Sequence, residues 1–489
     1  MKGLNYFLNL KSVSGMLGPL FVFLKNDKRK IAASISDFII FSAIFLVFLL
    51  CPLFFTGLSS QGLGFDKMML FYFLTLIGLT AWAAKGAIAG NFSFKITPLH
   101  WPLISLLSVF ILSSILSISR NDAFFGSYGN SAKGSAAVII FILFLFLLVN
   151  NISAKKIKVF FWALAGSGAL IAVYTISRLT GIFIMPLQFT NLVGFSVMES
   201  LSALAAFFAA ILPLFVAVVS QSKEIHPDLK NKYAHWAIKI SSGVFIFGVL
   251  IILTLLHAFT FWPAAITAIA VVLIFMFAKT IKVDNGGLFI PVVVFFILAV
   301  FLIFGSFNPA SLNFPAEVSL SRGLSWDIAK SSLKADTFLG SGPSTFYYSF
   351  GKYRSADFNF SSLWNTRFDR ASGAIFEFLA TVGVFGTIAF ITVILAGLSI
   401  CFKTLTKSKD KETMPIILAS FAGLISIIIF GLLFPFNNSL ILFSVLIFCL
   451  AVASAINVYP EKLPIKNFSF NDSAKLQFDK GCGDLDRQH

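Results

Sequence analysis

The sequence predicts an all-α polytopic membrane protein of about twelve transmembrane helices, with one large extracytoplasmic loop between the ninth and the tenth. Three observations carry this. The chain is 58% hydrophobic and only 12% charged, with mean hydropathy +0.91, whereas soluble domains carry about 25% charged residues. Its apolar residues fall in continuous runs of roughly 20, long enough for a helix to cross a ~30 Å hydrocarbon core, not in the alternating segments of an outer-membrane barrel. One polar stretch, residues 308–372, interrupts the series of spans.

Residues 1–34 read as a cytoplasmic or interfacial segment. The apolar run Val13 to Leu24 is too short to span and leads into Lys25, Lys28, Arg29 and Lys30. No small-residue cleavage site follows it, so a cleaved signal peptide is not expected. Residues 35–307 hold nine spans, at roughly 35–55, 68–86, 100–118, 134–151, 158–177, 191–219, 236–256, 261–279 and 287–307. Residues 373–457 hold three more, at roughly 373–400, 414–433 and 439–457. The tail, 458–489, has mixed charge, Pro460, Pro464 and no amphipathic period, and reads as a poorly ordered cytoplasmic extension. No internal repeat points to an inverted-repeat transporter.

Charge sets the orientation. One side of the proposed spans carries Lys85 and Lys95; Lys155, Lys156 and Lys158; Lys223, Lys230 and Lys232; Lys279 and Lys282; and Lys403, Lys407, Lys409 and Lys411. The short connections on the other side carry Lys67, Arg120, Lys133 and Arg178. By the positive-inside rule both termini are cytoplasmic and the large loop faces out. The loop's own seven Lys/Arg against five Asp/Glu do not oppose this, because long loops translocate largely regardless of charge. The net charge of +16 is therefore topological and gives no reason to expect nucleic acid. Cys51, Cys401, Cys449 and Cys482 show no metal-ligand spacing, and no metal or cofactor is expected.

Within the loop, 321–333 reads as a short amphipathic helix with Leu324, Ile328 and Leu333 on one stripe and Trp326 at headgroup level. Gly340, Gly342 and Pro343 then impose a tight turn able to aim backbone N–H groups at an anion. Arg354, Arg367 and Arg370 suit a lipid-linked phosphate or diphosphate, since a guanidinium grips a pair of phosphate oxygens. The alternative is that they pair with Asp357 and Asp369 and anchor the loop. Two ionisable residues are expected inside spans, where they need a cavity or a partner: Glu199 about a third of the way into the sixth, and His257 near the outer end of the seventh, where a histidine without any role is equally acceptable. Together with Glu377 in the early turns of the tenth, they suggest a cavity among these three spans, with the loop helix across its mouth.

These residues resemble the O-antigen ligase and O-antigen polymerase superfamily of bacterial membrane glycosyltransferases. Members have about twelve spans and a large periplasmic loop before the last three. An Arg a few residues before a Trp is matched by Arg322 and Trp326, and a Gly-x-Gly turn with a following aromatic by Gly340, Gly342 and Phe346. The closing Gly-x-x-Gly is matched by Gly383-Val-Phe-Gly386, with Glu377 at the acidic position. The family histidine is replaced by Ser372, followed by Gly373, and serine is no base near neutral pH. Arg178 is the candidate for the family arginine before the sixth span, and Asn130 stands where an arginine is common after the third.

The resemblance implies a metal-independent, GT-C-like transfer in the inner membrane. A glycan would pass from an undecaprenyl-diphosphate donor to a sugar hydroxyl of a lipid-linked or cell-surface acceptor, with membrane lipids the only other partner. Arg322 and Arg178 would hold the diphosphate. Glu377, Asp369 or His257 would act as base, unless the leaving group supplies the driving force alone. Arg354, Arg367, Arg370, Ser372, Trp326, Gly340, Gly342 and Glu199 would line the substrate site. The alternatives are an inactive relative that binds lipid-linked glycan, supported by Ser372, and a polysaccharide or lipid transporter.

Overall fold

In hydrocarbon every backbone N–H must find its partner within the segment, so long apolar runs become helices. The computed structural model describes residues 28–184, 187–192, 194–225, 231–256, 261–278, 287–304, 317–408, 410, 412–458, 466–471 and 477–478. In chain order its main elements are α1 (Lys28–Leu50), α2 (Leu63–Ala89), β1 (Asn91–Ile96), α3 (His100–Ile115), α4 (Ser135–Asn151), α5 (Ala154–Leu179) and α6 (Leu201–Ser220). There follow α7 (Lys232–Leu255), α8 (Trp262–Phe277), α9 (Phe289–Phe304), α10 (Arg322–Ala335), α11 (Phe346–Tyr353) and α12 (Ala374–Thr381). The chain closes with α13 (Gly383–Lys407), α14 (Met414–Leu433), α15 (Asn438–Val458), β2 (Lys466–Asn471) and β3 (Gln477–Phe478).

The chain is an all-α multi-pass membrane protein apart from one small sheet. Among the described residues 8 helices, α1, α2, α5, α6, α7, α13, α14 and α15, are long and apolar enough to cross a membrane, fewer than the twelve expected. At the other expected spans stand shorter apolar helices, α3, α4, α8 and α9, of 16 or 17 residues. Residues 1–27 and His257 lie outside the described residues, and the expected start of the first span at 35 is corrected, since α1 already begins at Lys28.

The bundle is built around α6, 94% of whose apolar window is buried. A helix apolar on every side belongs in the interior. Small residues let α14 approach it closely: a Cβ on Gly423 would fall 2.6 Å from the Ala210 carbonyl oxygen. The expected start of this span at 191 is corrected. Residues 188–191 form a separate short turn, and the helix begins only after Ser200, whose Oγ accepts from the Ala203 N–H at 3.0 Å. Glu199 therefore precedes the helix and adopts a left-handed backbone, φ 69°.

The tenth span is also not one helix. α12 ends at Thr381, and α13 starts at Gly383 with φ 65°. The loop turn 337–342 lies in the break. Ser341 and Gly342 N–H donate to the carbonyls of Ala380 and Thr381 at 3.3 and 2.7 Å, while Val384 and Phe385 N–H donate to Thr337 and Phe338 carbonyls at 3.0 and 3.2 Å. The orphan groups of two helix ends are satisfied by one turn. Space here is minimal, since a Cβ on Gly340 would sit 2.6 Å from the Gly383 nitrogen.

The loop has a small core of its own, in which Leu320, Ile328, Phe346, Phe350, Phe368 and Ala380 pack together. α10 occupies the predicted helical stretch and packs on α11 and α12. Just before it, Glu317 Oε1 accepts from Leu201 and Ser202 N–H at 2.5 and 3.1 Å. A carboxylate at the start of α6 suits the helix dipole and ties the loop to the central helix.

The tail departs from expectation. Its β2 pairs antiparallel with β1, Phe92 opposite Phe470 and Phe94 opposite Phe468, and β3 adds to β2. Both strands carry Asn-Phe-Ser-Phe, an alternation suited to a strand with one face packed. Phe92 and Phe94 lie 5.1 Å, centroid to centroid, from Trp82. Lys95 Nζ ties the strand to the ends of α4 and α15, through Val149 O at 3.3 Å and Asn457 Oδ1 at 3.0 Å.

Candidate functional site

At the end of the bundle that carries the large loop, several chain segments each contribute polar side chains to one cluster. The turn after Gly126 reverses the chain and delivers Asn130 and Lys133. Lys133 Nζ lies 2.5 Å from Glu377 Oε1 on α12, both side chains nearly buried at 9% and 10% exposure. Asn130 Nδ2 donates to Asp369 Oδ2 at 2.8 Å. Arg370 grips the same carboxylate with its Nε at 3.1 Å and a terminal nitrogen at 3.2 Å. This pair is the open part of the cluster, with Arg370 and Asp369 side chains 28% and 38% exposed.

The charges act across the cluster as well as in pairs. Arg370 feels Glu377 and Glu199 in addition to Asp369, and Asp369 feels Lys133. Burial alone would raise the Asp369 carboxyl, but Arg370, Lys133 and Asn130 outweigh it and hold the group at about 2. Arg370 is moved up from its ordinary value because Asp369 more than offsets burial. Glu199 moves the other way. Burial, the largest influence, raises it, while the Ser439 N–H at 2.7 Å, Arg370 and Lys67 offset that only in part.

Glu199 is held by shape as much as by charge. A Cβ on Gly64 would lie 2.0 Å from its Oε1, so only glycine leaves room for the carboxylate against the start of α2. Asn437 and Asn438 close the same corner: Asn437 Nδ2 donates to Met198 O at 2.6 Å, and Asn438 bridges the Ala132 N–H and the Gly129 carbonyl, each at 3.0 Å. Lys67, fully buried on α2, donates to Pro52 O at 2.5 Å. Besides Glu199, the only non-glycine residue with positive φ among the described residues is Ser344, φ 60°, which accepts from Ser127 N–H at 2.9 Å. Strained backbone of this kind costs on the order of 1–3 kcal/mol and gathers where surroundings are over-determined for a task.

Of the residues singled out from sequence, Glu199, Asp369, Arg370 and Glu377 are thus brought together. Arg322 heads α10, exposed and with no ion-pair partner among the described residues, and Trp326 one turn on lies 6.2 Å from the Phe376 ring. Ser372 is buried, its N–H donating to Ser325 Oγ at 3.0 Å. Arg354 is bonded to Trp364 O at 3.3 Å and lies over the Phe350 and Phe358 rings, with no ion pair to Asp357 among the described residues, whereas Arg370 pairs with Asp369. Arg367 stacks on Tyr347 and donates to its hydroxyl at 2.7 Å. Gly340 and Gly342 serve the α12–α13 junction, and the Gly342 N–H is spent on Thr381.

Arg178 is used locally. Its two terminal nitrogens donate to the carbonyls of Phe195 and, at 2.6 Å, Leu192, and its guanidinium covers the Phe195 ring at 5.0 Å. It borders a cavity of about 150 Å³ with Tyr174, Thr175 and Leu256. Sequence reasoning counted Lys67 and Lys133 only as topology markers and passed over Asn437 and Asn438. The available signal for Lys67 was a lysine following Asp66 at the head of an apolar run.

Fold and site together define a multi-pass membrane protein with a charge-balanced polar cluster beneath one folded loop. Compared with models of known protein families and with curated proteins, the chain matches none. Among the described residues no three His, Cys, Asp or Glu side chains gather as metal ligands.

Proposed function

We propose that the chain is a membrane glycosyltransferase resembling O-antigen ligases and polymerases, acting on undecaprenyl-diphosphate-linked glycan at the polar cluster. The observation that carries this reading is the convergence of Arg370, Asp369, Lys133, Glu377 and Glu199 under the loop. Charged groups at the end of membrane helices are costly unless they meet a partner or a charged substrate. Arg370, and Arg322 without an ion-pair partner among the described residues, are guanidinium forks suited to a diphosphate, and donors placed where charge develops supply the largest share of many rate enhancements.

In the reaction, the acceptor hydroxyl oxygen attacks the anomeric carbon of the donor sugar. The carbon–oxygen bond to the diphosphate breaks, its electron pair leaves with the lipid diphosphate, and the hydroxyl proton passes to a carboxylate of the cluster. In the proposed topology α3, α4, α8 and α9 also cross, giving twelve spans in a bacterial inner membrane. The loop and cluster face out and both termini are cytoplasmic. The β1–β2 pairing supports placing β1 and the tail on the same side, because it requires an even number of crossings between residues 96 and 466. With Cys482 replaced by serine and the other cysteines buried, Ser362→Cys is expected to react with an impermeant reagent in sealed cells and Lys407→Cys only after permeabilisation. Equal labelling of both would contradict the topology.

A second reading, a relative that binds lipid-linked glycan without turnover, is favoured by Ser372 and by the ion pairing of Asp369 and Glu377. One experiment separates the readings: purified protein in vesicles with undecaprenyl-diphosphate glycan and candidate acceptors. New glycosidic bonds are the expected result. Binding without product supports the scaffold, and movement between leaflets without product supports a transporter.

A further inference from the structure

Two carboxylates of the cluster, Glu377 and Asp369, are each held in an ion pair, with Lys133 and Arg370 respectively. Resting on the reading above, we propose that Lys133 is a phosphate-binding residue whose resting counter-ion is Glu377, so that diphosphate binding exchanges one anion for another and releases Glu377 as the base. The exchange has a defined geometry. Lys133 and Glu377 meet at 2.5 Å, and in this structure that is the Glu377 carboxylate's hydrogen-bond and salt-bridge partner among the described residues. Asp369 differs, since besides Arg370 it accepts from the Asn130 amide at 2.8 Å, a contact that does not run through Arg370. The two cations therefore play different parts. Arg370, at the open side of the cluster, meets the diphosphate while Asp369 stays held. Lys133, deeper, follows the second phosphate and leaves Glu377 without its hydrogen-bonded cation.

A carboxylate shielded from water and deprived of its cation takes up a proton more readily than an ion-paired one. Glu377 is thus freed of its ion pair only when donor is bound, next to the sugar that will be attacked. The freed Glu377 accepts the proton of the acceptor hydroxyl as that oxygen bonds to the anomeric carbon and the diphosphate departs. As the product lipid diphosphate leaves, Lys133 returns to Glu377 and the proton is lost to solvent. This also accounts for a site that works with Ser372 in the place of a histidine. A lysine suits such a shuttle, being a point charge on a flexible stem without guanidinium geometry to satisfy.

The test is a binding cycle with purified full-length chain in detergent, using a short-chain polyprenyl diphosphate, the matching monophosphate and inorganic pyrophosphate as probes. Glu377→Gln removes the competing anion and is expected to tighten polyprenyl diphosphate binding about 10-fold or more while abolishing transfer, and Lys133→Gln to weaken binding by a similar factor. In the double variant, where no unpaired charge remains to disturb folding, the Glu377→Gln effect is expected to vanish. The diphosphate is expected to outcompete the monophosphate. Pyrophosphate responding to the same substitutions but binding more weakly identifies the lipid chain as part of the ligand. If Glu377→Gln weakens binding as Lys133→Gln does, or keeps its effect without Lys133, the carboxylate merely positions the lysine and the exchange is overturned. If the unaltered chain binds diphosphate in neither form, the donor assignment falls along with it.

Discussion

Replacing Arg370 by alanine is expected to lower glycan transfer about 10²- to 10³-fold, the usual effect of removing one donor aimed at a developing negative charge. On the proposed reading the loss falls on donor binding as well as turnover, because the guanidinium meets the diphosphate on binding and offsets charge that grows as it leaves. Arg370→Lys should recover only part of it. The guanidinium spans both oxygens of Asp369, and an ammonium cannot reproduce two parallel contacts to a carboxylate or a phosphate. Arg354→Ala serves as comparison: that arginine packs over Phe350 and Phe358, so its loss should lower stability and leave the turnover of folded protein nearly unchanged. Equal losses of turnover from both would show that Arg370 is structural.

Gly383→Ala is expected to destabilise the chain by ~3 kcal/mol or more, seen as a large fall in thermal midpoint in detergent or loss of folded protein. Its added Cβ would lie 2.5 Å from the Phe338 carbonyl oxygen, at a φ of 65° that disfavours any side chain. Backbone stands on the other side, so no side chain can rotate to make room. Gly351 has nothing within 4 Å of its Cβ position. Gly351→Ala should therefore be neutral or slightly stabilising, as alanine is the better helix former. A Gly383→Ala chain as stable as the parent would mean that the loop turn does not sit in the α12–α13 break.

That break marks where the sequence stops being readable. The eleventh span was expected at 414–433 and α14 occupies Met414–Leu433, because an apolar run bounded by charge on one side and Pro435 on the other has only one solution. Hydropathy does not drop at Gly383, so a window of apolar residues passes across the interruption; only the turn 337–342, some forty positions earlier, shows why a helix must stop there. Glu199 was misplaced for a similar reason. Asn191 to Met198 is apolar enough to extend a span backwards, and the Ser200 cap at which the helix starts is a local signal too weak to override it.

The site was legible by residue type and not by partnership. Arg370, Asp369, Glu377 and Glu199 drew attention as charges at the edges of apolar runs. Asn130 and Asp369 are 239 residues apart, and Lys133 and Glu377 are 244 apart. Nothing in one sequence says which lysine on a span-connecting turn will meet which carboxylate. The repeated Asn-Phe-Ser-Phe of β1 and β2 was visible throughout and is a strand signal of the ordinary alternating kind. It was hidden by the composition around it, since a tail with mixed charge and two prolines reads as disordered.

The most direct measurement is covalent mapping of a photoreactive polyprenyl diphosphate, with the label beside the diphosphate, bound to the purified chain and located by peptide mass spectrometry. Attachment to peptides covering 126–134 and 369–377 is the expected result, and it should fall sharply in the Arg370→Ala chain. Attachment confined to the opposite end of the bundle, around β1 and the connection between α13 and α14, or to the cavity beside Arg178 with no dependence on Arg370, would contradict the assignment of the polar cluster as the functional site.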